Sequence, residues 1–337
     1  MIREEILVLL RQGKTVSGEE LSRRFGLSRT AVWKAVDALR RDGYVIEART
    51  GLGYRLRQTP DALSEAEIRN FLGPVRRVGQ SLYCFDEIDS TNNYLKTLSR
   101  NGGHDGAVAV ANAQTAGRGR MDRPFQSPKD KGIYLSVLLR PELPPARLLP
   151  VTAIAGVAVC AAVERICGVR PGLKWPNDPV LGGRKLCGIL TELAFEGETG
   201  RLQALIVGIG INVSQTEADF SPDVAKMATS LVQELGRPVS RPALAAALIE
   251  ELDKLYTALN AGSLSAYLTA FRRDCVNLGK RVRILSPAGE ETAAAIGIDD
   301  QFGLIIQDET GAERVIRSGE VSVRGLYGYL DEENESR

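Results

Sequence analysis

The residues of this sequence best suited to binding an anion lie in one short loop. It reads Ala113-Gln-Thr-Ala-Gly-Arg-Gly-Arg120 and follows the apolar, strand-like run Ala107–Ala111. Glycines let backbone N–H groups approach a ligand, and successive N–H groups form a partly positive cradle. The guanidinium groups of Arg118 and Arg120 add planar donors that match phosphate or carboxylate. The pattern predicts a mobile loop that closes over a negatively charged substrate, although a solvated basic turn explains it equally well.

A second motif, Asp89-Ser-Thr-Asn-Asn93, stands between a predicted strand and a predicted helix. Serine, threonine and asparagine are preferred at helix N-termini, so a helix cap alone accounts for the motif. The same hydroxyl and amide groups are also able to hydrogen bond a small polar ligand at the start of the helix. Both interpretations remain open on the residues alone.

Further motifs lie between 174 and 212. In Lys174-Trp-Pro-Asn-Asp178 the indole, amide and carboxylate suit a base, a ribose or a metal ion, unless the motif is a turn with a packed tryptophan. Lys185 opens a buried-looking strand, where its ammonium either reaches the surface or faces an anion in a pocket. Gly208 and Gly210 lie inside another strand and mark either a bulge or the close approach of a ligand or backbone.

The elements that must position these motifs divide into three predicted domains, at 1–60, 61–275 and 276–330, so we expect an α+β multidomain protein. The central domain mixes α and β, with strands over 81–85, 107–111, 133–139, 188–192 and 202–208 and helices over 92–100, 149–167 and 242–259. The last domain is predicted to be a small β-barrel, with strands over 280–285, 292–298, 304–307, 315–316 and 321–324.

The first domain has the pattern of a winged helix-turn-helix. A helix over 3–12 is followed by two helices that Ser17 and Ser28 cap, and then by a hairpin around Gly51 and Gly53. The third helix presents its first residues to a DNA major groove, while the hairpin suits phosphate contacts. A small packing module with a solvated basic face is the alternative. The predicted DNA-binding residues are Ser28, Arg29, Thr30, Lys34, Arg49 and Arg55.

Composition supports this division and excludes other classes. Residues 1–59 carry 12 basic and 7 acidic side chains, whereas the rest of the chain carries 31 and 35, so nucleic acid is expected at one end only. The 5 scattered cysteines and 1 histidine argue against a disulfide framework, a zinc site and most histidine-based catalysis. No secretory signal is recognised, and no apolar run is expected to reach membrane-spanning length. We therefore expect a cytoplasmic protein with no membrane partner.

Taken in order, these motifs resemble the bifunctional biotin–protein ligase and biotin operon repressor family. The resemblance covers nearly the whole chain, and Lys174–Asp178 with the arginine loop is its most specific part. It implies a central ligase domain and a C-terminal SH3-like β-barrel. The implied reaction activates biotin with ATP and Mg²⁺ to biotinyl-5′-AMP and transfers biotin to a lysine of the biotin carboxyl carrier protein of acetyl-CoA carboxylase. Operator DNA and a homodimer formed with the adenylate bound are the other implied partners.

The resemblance also implies residue roles. Lys185 and Arg118 would be catalytic, and the biotin site would comprise Ser90, Thr91, Asn92, Gln114, Arg118, Gly119, Arg120, Lys185, Gly208 and Gly210. The nucleotide site would comprise Arg120, Phe125, Trp175, Asn177, Asp178, Asn212 and Arg324, with Asp178 also a ligand of Mg²⁺. The sequence departs from the family at Asp122, in place of a glycine, and at Phe125, in place of a tryptophan. A ligase without repressor activity and a lipoate–protein ligase are the alternatives.

Overall fold

The structure is a computed structural model that describes residues 2–49, 51–119, 123–195, 202–286, 289–317 and, by their backbone alone, 322–325. The chain divides into two compact units, the first ending at Ala62 and the second beginning at Leu63. The second unit contains all of the predicted ligand-binding motifs. The first unit contains all of the predicted DNA-binding residues.

The first unit consists of three helices and a hairpin. The elements are α1 (Ile2–Leu10), α2 (Gly18–Phe25), α3 (Arg29–Arg41), β1 (Val45–Arg49) and β2 (Gly53–Gln58). The serine caps predicted at the N-termini of α2 and α3 are confirmed, because Ser17 accepts a hydrogen bond from the backbone of Glu20 and Ser28 accepts one from Ala31. The helices enclose a small apolar core, formed mainly by Leu10, Leu21, Val32, Val36 and Leu39.

The second unit is organised around a five-stranded sheet in the order β3-β4-β5-β10-β9. Only β3 and β4 pair in parallel, and the other neighbours are antiparallel. The elements up to the end of this sheet are α4 (Glu65–Phe71), β3 (Leu82–Phe85), α5 (Thr91–Arg100), β4 (Val108–Ala111), β5 (Gly132–Leu139), α6 (Val151–Cys167), β6 (Gly172–Lys174), β7 (Asp178–Leu181), β8 (Arg184–Lys185), β9 (Cys187–Phe195) and β10 (Leu202–Asn212).

The remaining elements are α7 (Pro222–Ala225), α8 (Leu231–Leu235), α9 (Arg241–Asn260), α10 (Ser265–Asp274), β11 (Arg281–Ser286), β12 (Gly289–Ile298), β13 (Leu304–Gln307), β14 (Glu313–Ile316) and β15 (Ser322–Gly325). Strands β6, β7 and β8 form a small antiparallel sheet, and β11 to β15 form an antiparallel sheet in the order β14-β13-β12-β11-β15. The predicted strands and helices of both segments are thus confirmed, with shifts of a few residues at their ends.

The central sheet has two different faces, and β10 shows why. Leu205, Val207, Ile209 and Ile211 are buried with α6 and α9 in the main core. Because side chains alternate along a strand, the intervening positions point to the opposite face. That face carries Ala204 and Ile206 under α5 and then Gly208, Gly210 and Asn212. The main core therefore fills one side of the sheet, and the glycines leave space on the other.

Helix α6 corrects the expectation that no apolar run reaches membrane-spanning length. The helical stretch Pro145–Cys167 has 23 residues and is long and apolar enough to cross a membrane, by length and composition alone. However, 67% of its most apolar window is buried inside the protein, where α6 packs with α9 against the sheet. Its continuous apolarity therefore reflects its position as the central core helix of this unit.

Candidate active site

A cavity of about 730 Å³ opens on the α5 face of the central sheet. This volume lies within the range typical of small-molecule sites. The cavity brings together residues that are distant in sequence. Of the predicted site residues, those that line it are Ser90, Thr91, Asn92, Gln114, Arg118, Gly119, Phe125, Trp175, Asn177, Asp178, Lys185, Gly208, Gly210 and Asn212.

For two predicted site residues the structure describes no side chain. Arg120 lies outside the described residues, as does Asp122. Arg324 lies on β15, opposite Arg283 of β11, and its side chain is outside the described part of the chain. The C-terminal sheet reaches the cavity instead through Leu285 and Ser286 of β11.

Thr91, Asn92, Gln114, Ser136 and Glu192 form one end of the cavity, which we call the amide end. Ser90 is the N-cap of α5, so the cap interpretation of the motif is correct. Ser90, Thr91 and Asn92 also line the cavity, so the cap does not conflict with the ligand interpretation. The amide oxygen of Gln114 accepts a hydrogen bond of 2.9 Å from the backbone N–H of Thr91. The helix start and the arginine loop are therefore joined at this point.

A chain of side-chain hydrogen bonds runs through the amide end. Asn92 Nδ2 donates to Glu192 Oε2 at 2.7 Å, and Asn92 Oδ1 accepts from Ser136 Oγ at 2.6 Å. Ser136 Oγ also lies 2.7 Å from Thr91 Oγ1. On the far side, Lys96 Nζ contacts Glu192 Oε1 at 2.5 Å. Five polar side chains from α5, β5 and β9 thus form one connected group.

Sequence reasoning missed Lys96, Ser136 and Glu192 in this group. A signal was available for Glu192, since it lies two and four residues after Leu190 and Gly188 on the same strand and so shares their face. Lys96 and Ser136 gave no such signal. Their partners lie 96 and 44 residues away in the sequence.

The glycine and arginine loop lines the cavity through Gln114, Arg118 and Gly119. Gly117 accepts a backbone hydrogen bond of 2.9 Å from Phe125, and Gly119 donates one of 2.7 Å to Arg123. Phe125 then places its ring against the sheet, where a Cβ on Gly210 would lie 2.4 Å from a ring carbon and one on Gly188 would lie 2.9 Å away. A side chain at either glycine would displace this ring. The two glycines therefore allow an aromatic wall to lie close to the sheet.

Asp178 and Lys185 form the opposite, lysine end of the cavity. Lys185 Nζ lies 2.6 Å from Asp178 Oδ1, and both side chains are partly exposed. The sequence predicted Lys185 at the start of a buried strand. It belongs instead to β8, a two-residue strand of the small sheet just before β9.

The backbone of Lys185 is held on both sides by the segment that precedes α8. Its N–H donates to Met227 at 2.7 Å, and its carbonyl accepts from Thr229 at 2.9 Å. The neighbouring Arg184 pairs with Glu234 of α8 at 2.7 Å, which also accepts a hydrogen bond from the Thr229 hydroxyl at 2.6 Å. The backbone of the lysine that reaches the cavity is therefore held by hydrogen bonds on both sides.

Trp175 has a different environment from the one its predicted role requires. Its side chain is fully buried, and its indole N–H donates to the carbonyl of Phe302 at 2.9 Å. No face of the ring is exposed for a base to stack on, so the packed-tryptophan alternative describes this side chain. The neighbouring Asn177 is also buried, and its amide donates to Ile189 at 3.2 Å.

The side-chain amide of Asn212 is likewise bonded within the protein. It donates to the carbonyl of Thr229 at 3.0 Å and accepts from Gln215 at 3.1 Å. Asn212 thereby fixes the segment after β10 that also holds Lys185. These bonds occupy the indole N–H of Trp175 and both ends of the Asn212 amide, and the ligand contacts of the two residues stay a prediction.

Among the described residues, one cysteine lines the cavity. It is Cys187, and burial raises the pKa of that thiol well above its ordinary value. Within the described residues, no three His, Cys, Asp or Glu side chains are grouped so that they could hold a metal ion. The arrangement is suited to binding and aligning ligands by hydrogen bonds and charge.

The predicted DNA-binding residues lie on exposed parts of the first unit. Arg29, Thr30 and Lys34 are exposed on α3, together with Trp33. Ser28 serves as the cap of that helix. In the hairpin Arg55 is exposed. Arg49 and Arg57 both donate hydrogen bonds to the Glu47 carboxylate, and these bonds lower its pKa. Sequence reasoning missed this acidic partner, which neutralises part of the hairpin charge.

Three family models match the chain in order. The model described as "HTH domain" matches residues 2–55, "Biotin/lipoate A/B protein ligase family" matches residues 84–212, and "Biotin protein ligase C terminal domain" matches residues 278–324. The second match contains most of the residues that line the cavity, including both of its ends. The first contains all six predicted DNA-binding residues.

Whole-chain comparisons agree with the family models. The chain is 35% identical over 316 residues to "Bifunctional ligase/repressor BirA" of Bacillus spizizenii, which covers 93% of this chain and 96% of that protein. It is 32% identical over 321 residues to the protein of the same name from Escherichia coli, covering 95% and 96%. Among solved structures, "Biotin protein ligase from Aquifex aeolicus in complex with biotin and ATP" is 30% identical, with a TM-score of 0.63, and covers 73% of this chain and 99% of that one.

Proposed function

The chain belongs to the family of bifunctional biotin ligases and repressors, and from this premise we propose that it biotinylates a carrier protein and represses transcription. In the first reaction an oxygen of the biotin carboxylate attacks the α-phosphorus of ATP, and pyrophosphate leaves. In the second, a lysine amine of the carrier protein attacks the carbonyl carbon of biotinyl-5′-AMP, and AMP leaves. The product is an amide between biotin and the carrier.

The observation that carries this proposal is the polarity of the cavity along its length. The amide end offers hydroxyl and amide groups, which suit the ureido ring of biotin with its two N–H donors and one carbonyl acceptor. The lysine end offers the Lys185 ammonium to the biotin carboxylate and the α-phosphate. The aromatic wall of Phe125 lies between them and suits the apolar part of the vitamin.

The first reaction brings two anions together, so its main obstacle is their repulsion. Lys185 and Arg118, which both line the cavity, lower that repulsion by neutralising charge and by aligning the carboxylate with the phosphorus. No covalent intermediate on the protein is needed. This agrees with the burial of Cys187 and the raised pKa of its thiol.

The lysine end of the cavity includes the carboxylate of Asp178, which suits a magnesium ion. Mg²⁺ usually binds proteins through one or two carboxylates and takes its other ligands from substrate phosphates and water. Asp178 provides one carboxylate beside Lys185, so we propose it as the single protein ligand. The ion would neutralise charge on the phosphate oxygens.

Repression requires the first unit to bind operator DNA. We propose that α3 enters the major groove with Arg29, Thr30 and Lys34, and that the β1–β2 hairpin is the wing whose Arg49 and Arg55 contact phosphate. The adenylate would act as corepressor by promoting a homodimer. Strand β9 is an edge of the central sheet and exposes Leu193 and Phe195, which supports pairing with a second copy at such an edge.

The finer features of the architecture are part of the same proposal. We propose domains at 1–60, 61–275 and 276–330, and that the sheet of β11 to β15 is a small SH3-like barrel. Its five short antiparallel strands and their neighbour order support this. The acceptor is proposed to be the carrier domain of acetyl-CoA carboxylase, and the location cytoplasmic.

Calorimetric titration with biotin, followed by a pyrophosphate-release assay with ATP, tests the enzymatic proposal. We expect biotin to bind, pyrophosphate to appear only when both ligands are present, and label to transfer to an isolated biotin carrier domain. Lipoate serves as the matched competitor. Pyrophosphate release with lipoate and none with biotin would reject the proposal in favour of a lipoate ligase.

A further inference from the structure

Trp33 is a large apolar side chain on the exposed face of α3. It is 52% exposed, whereas Val32 and Val36 of the same helix are buried in the core of the first unit. Because helix residues three and four positions apart are neighbours, Trp33 lies beside both Arg29 and Thr30. The indole therefore belongs to the face of α3 that is proposed to enter the major groove.

The charged side chains around this indole suit an anionic partner. Arg29 lies one turn before it and is exposed, although it also contacts Glu19 of α2 at 3.7 Å. Lys34 follows the tryptophan directly and is exposed as well. The acid one turn further along, Asp37, is paired with Arg41 at 3.1 Å. The indole is thus an apolar group on a surface whose exposed charges are mainly positive.

An exposed indole in the major groove of DNA meets one kind of apolar group. The base-pair edges there carry hydrogen-bond donors and acceptors, together with the C5 methyl group of thymine. The excess of 5 basic side chains in the segment 1–59 favours a duplex as the partner of this face. We infer that Trp33 is a specificity-determining residue, which reads thymine in the operator through contact between its indole and the C5 methyl group.

The inference deepens the repressor part of the proposed function and rests on it. A cationic side chain gains affinity from phosphate in any sequence, so it strengthens specific and non-specific binding alike. Trp33 carries no charge, and its contact exists only where a thymine is present. Loss of the indole should therefore lower the ratio of specific to non-specific affinity, whereas loss of Arg55 in the hairpin should lower both affinities by the same factor.

Replacing thymine by uracil removes the methyl group and keeps every hydrogen-bonding group of the base. In a duplex that the adenylate-loaded protein selects from a random pool, each thymine is replaced in turn, and the Kd is measured by fluorescence anisotropy at one fixed salt concentration. We expect the Kd to rise about fourfold for one thymine in each half-site, equivalent to about 0.8 kcal/mol for a group of this size.

Variants assign this effect to the indole. Trp33→Ala should bind the thymine and uracil duplexes equally, and alanine at an exposed helix position keeps the helix intact. Trp33→Phe retains an apolar ring without the indole N–H and should still distinguish the two duplexes. Val8→Ala is the matched control, because Val8 is an apolar side chain of α1 that is 59% exposed, and it should behave as the wild type does.

The outcomes separate this inference from the proposed function. If no duplex is enriched, the repressor part of the proposed function fails and the inference with it. If a duplex is enriched but no replacement of thymine by uracil changes the Kd, DNA binding stands and the inference is overturned. It is also overturned if Trp33→Ala still distinguishes the duplexes, because another side chain then reads the methyl group. Loss of the distinction in Trp33→Phe would overturn it too, since the indole N–H would then make the contact.

Discussion

At the scale of single residues, the most demanding position is that of Lys185. Its ammonium group has to be held in place beside two anions. The Asp178 carboxylate at 2.6 Å holds it at the lysine end of the cavity, and the backbone bonds to Met227 and Thr229 hold its strand. The charge is thus oriented before either substrate binds, which is the condition for efficient electrostatic stabilisation of the reaction.

Replacing Lys185 by alanine tests this role. We expect the rate of pyrophosphate release to fall by about 100-fold or more, the usual effect of removing one preorganised charge donor. Lys254→Ala is the matched control, since Lys254 is an exposed lysine on α9 that pairs with Glu251, and it should retain the wild-type rate. A near-normal rate for Lys185→Ala would show that the cavity uses another cation.

The sequence predicted the members of the site better than their partners. Fourteen of the predicted residues line the cavity, because they come from the motifs that carry the family resemblance. Their hydrogen-bond partners were not predictable, since Glu192 meets Asn92 across 100 positions and Phe302 meets Trp175 across 127. Local spacing contains no information about which distant strand lies alongside, and that is decided by the packing of the whole core.

At the scale of elements, local signals fixed most helices and strands. Serine caps and the period of two along β10 are properties of a few neighbouring residues. The small sheet of β6 to β8 escaped prediction because its strands have two to four residues. Such short strands are held by their surroundings. Arg170, two residues before β6, donates a hydrogen bond to Asp274 at the end of α10, and Arg273 donates a second one. We call this group the Asp274 clamp.

Asp274 should make the stability of the protein depend on pH. Burial raises the pKa of its carboxyl, but hydrogen bonds from Arg273 and Arg170 outweigh burial and leave it below the ordinary value of 3.8. The carboxylate therefore stabilises the fold above pH 3.8, and this contribution is lost as the pH falls through the lower pKa of the folded state. We expect Asp274→Asn to lower the free energy of unfolding by about 2 kcal/mol at pH 7.

Thermal or denaturant unfolding across the pH range measures this effect. The difference between wild type and Asp274→Asn should shrink as the carboxylate of the wild type becomes protonated. Asp223→Asn is the control, because the side chain of Asp223 is 96% exposed and should matter little at any pH. A constant difference between Asp274→Asn and wild type at all pH values would mean that the clamp does not depend on the charge.

At the scale of the whole molecule, the charges are divided between two tasks. The segment 1–59 has an excess of 5 basic side chains, and the rest of the chain has an excess of 4 acidic ones. A positive surface attracts the phosphates of DNA without selecting a sequence, and base contacts add the selection. The ligase reaction depends on charges inside the cavity, so each task should be removable by substitution without the other.

DNA binding by the first unit is tested with a duplex selected from a random pool by the adenylate-loaded protein. We expect a gel shift that adenylate strengthens and salt weakens steeply, because counterions are released from the phosphates. Arg29→Ala and Lys34→Ala should weaken the shift while pyrophosphate release continues at the wild-type rate. Arg3→Ala is the control, since Arg3 lies on α1 and pairs with Asp42. If no duplex is enriched from the pool although biotinylation proceeds, the protein is a ligase without repressor activity.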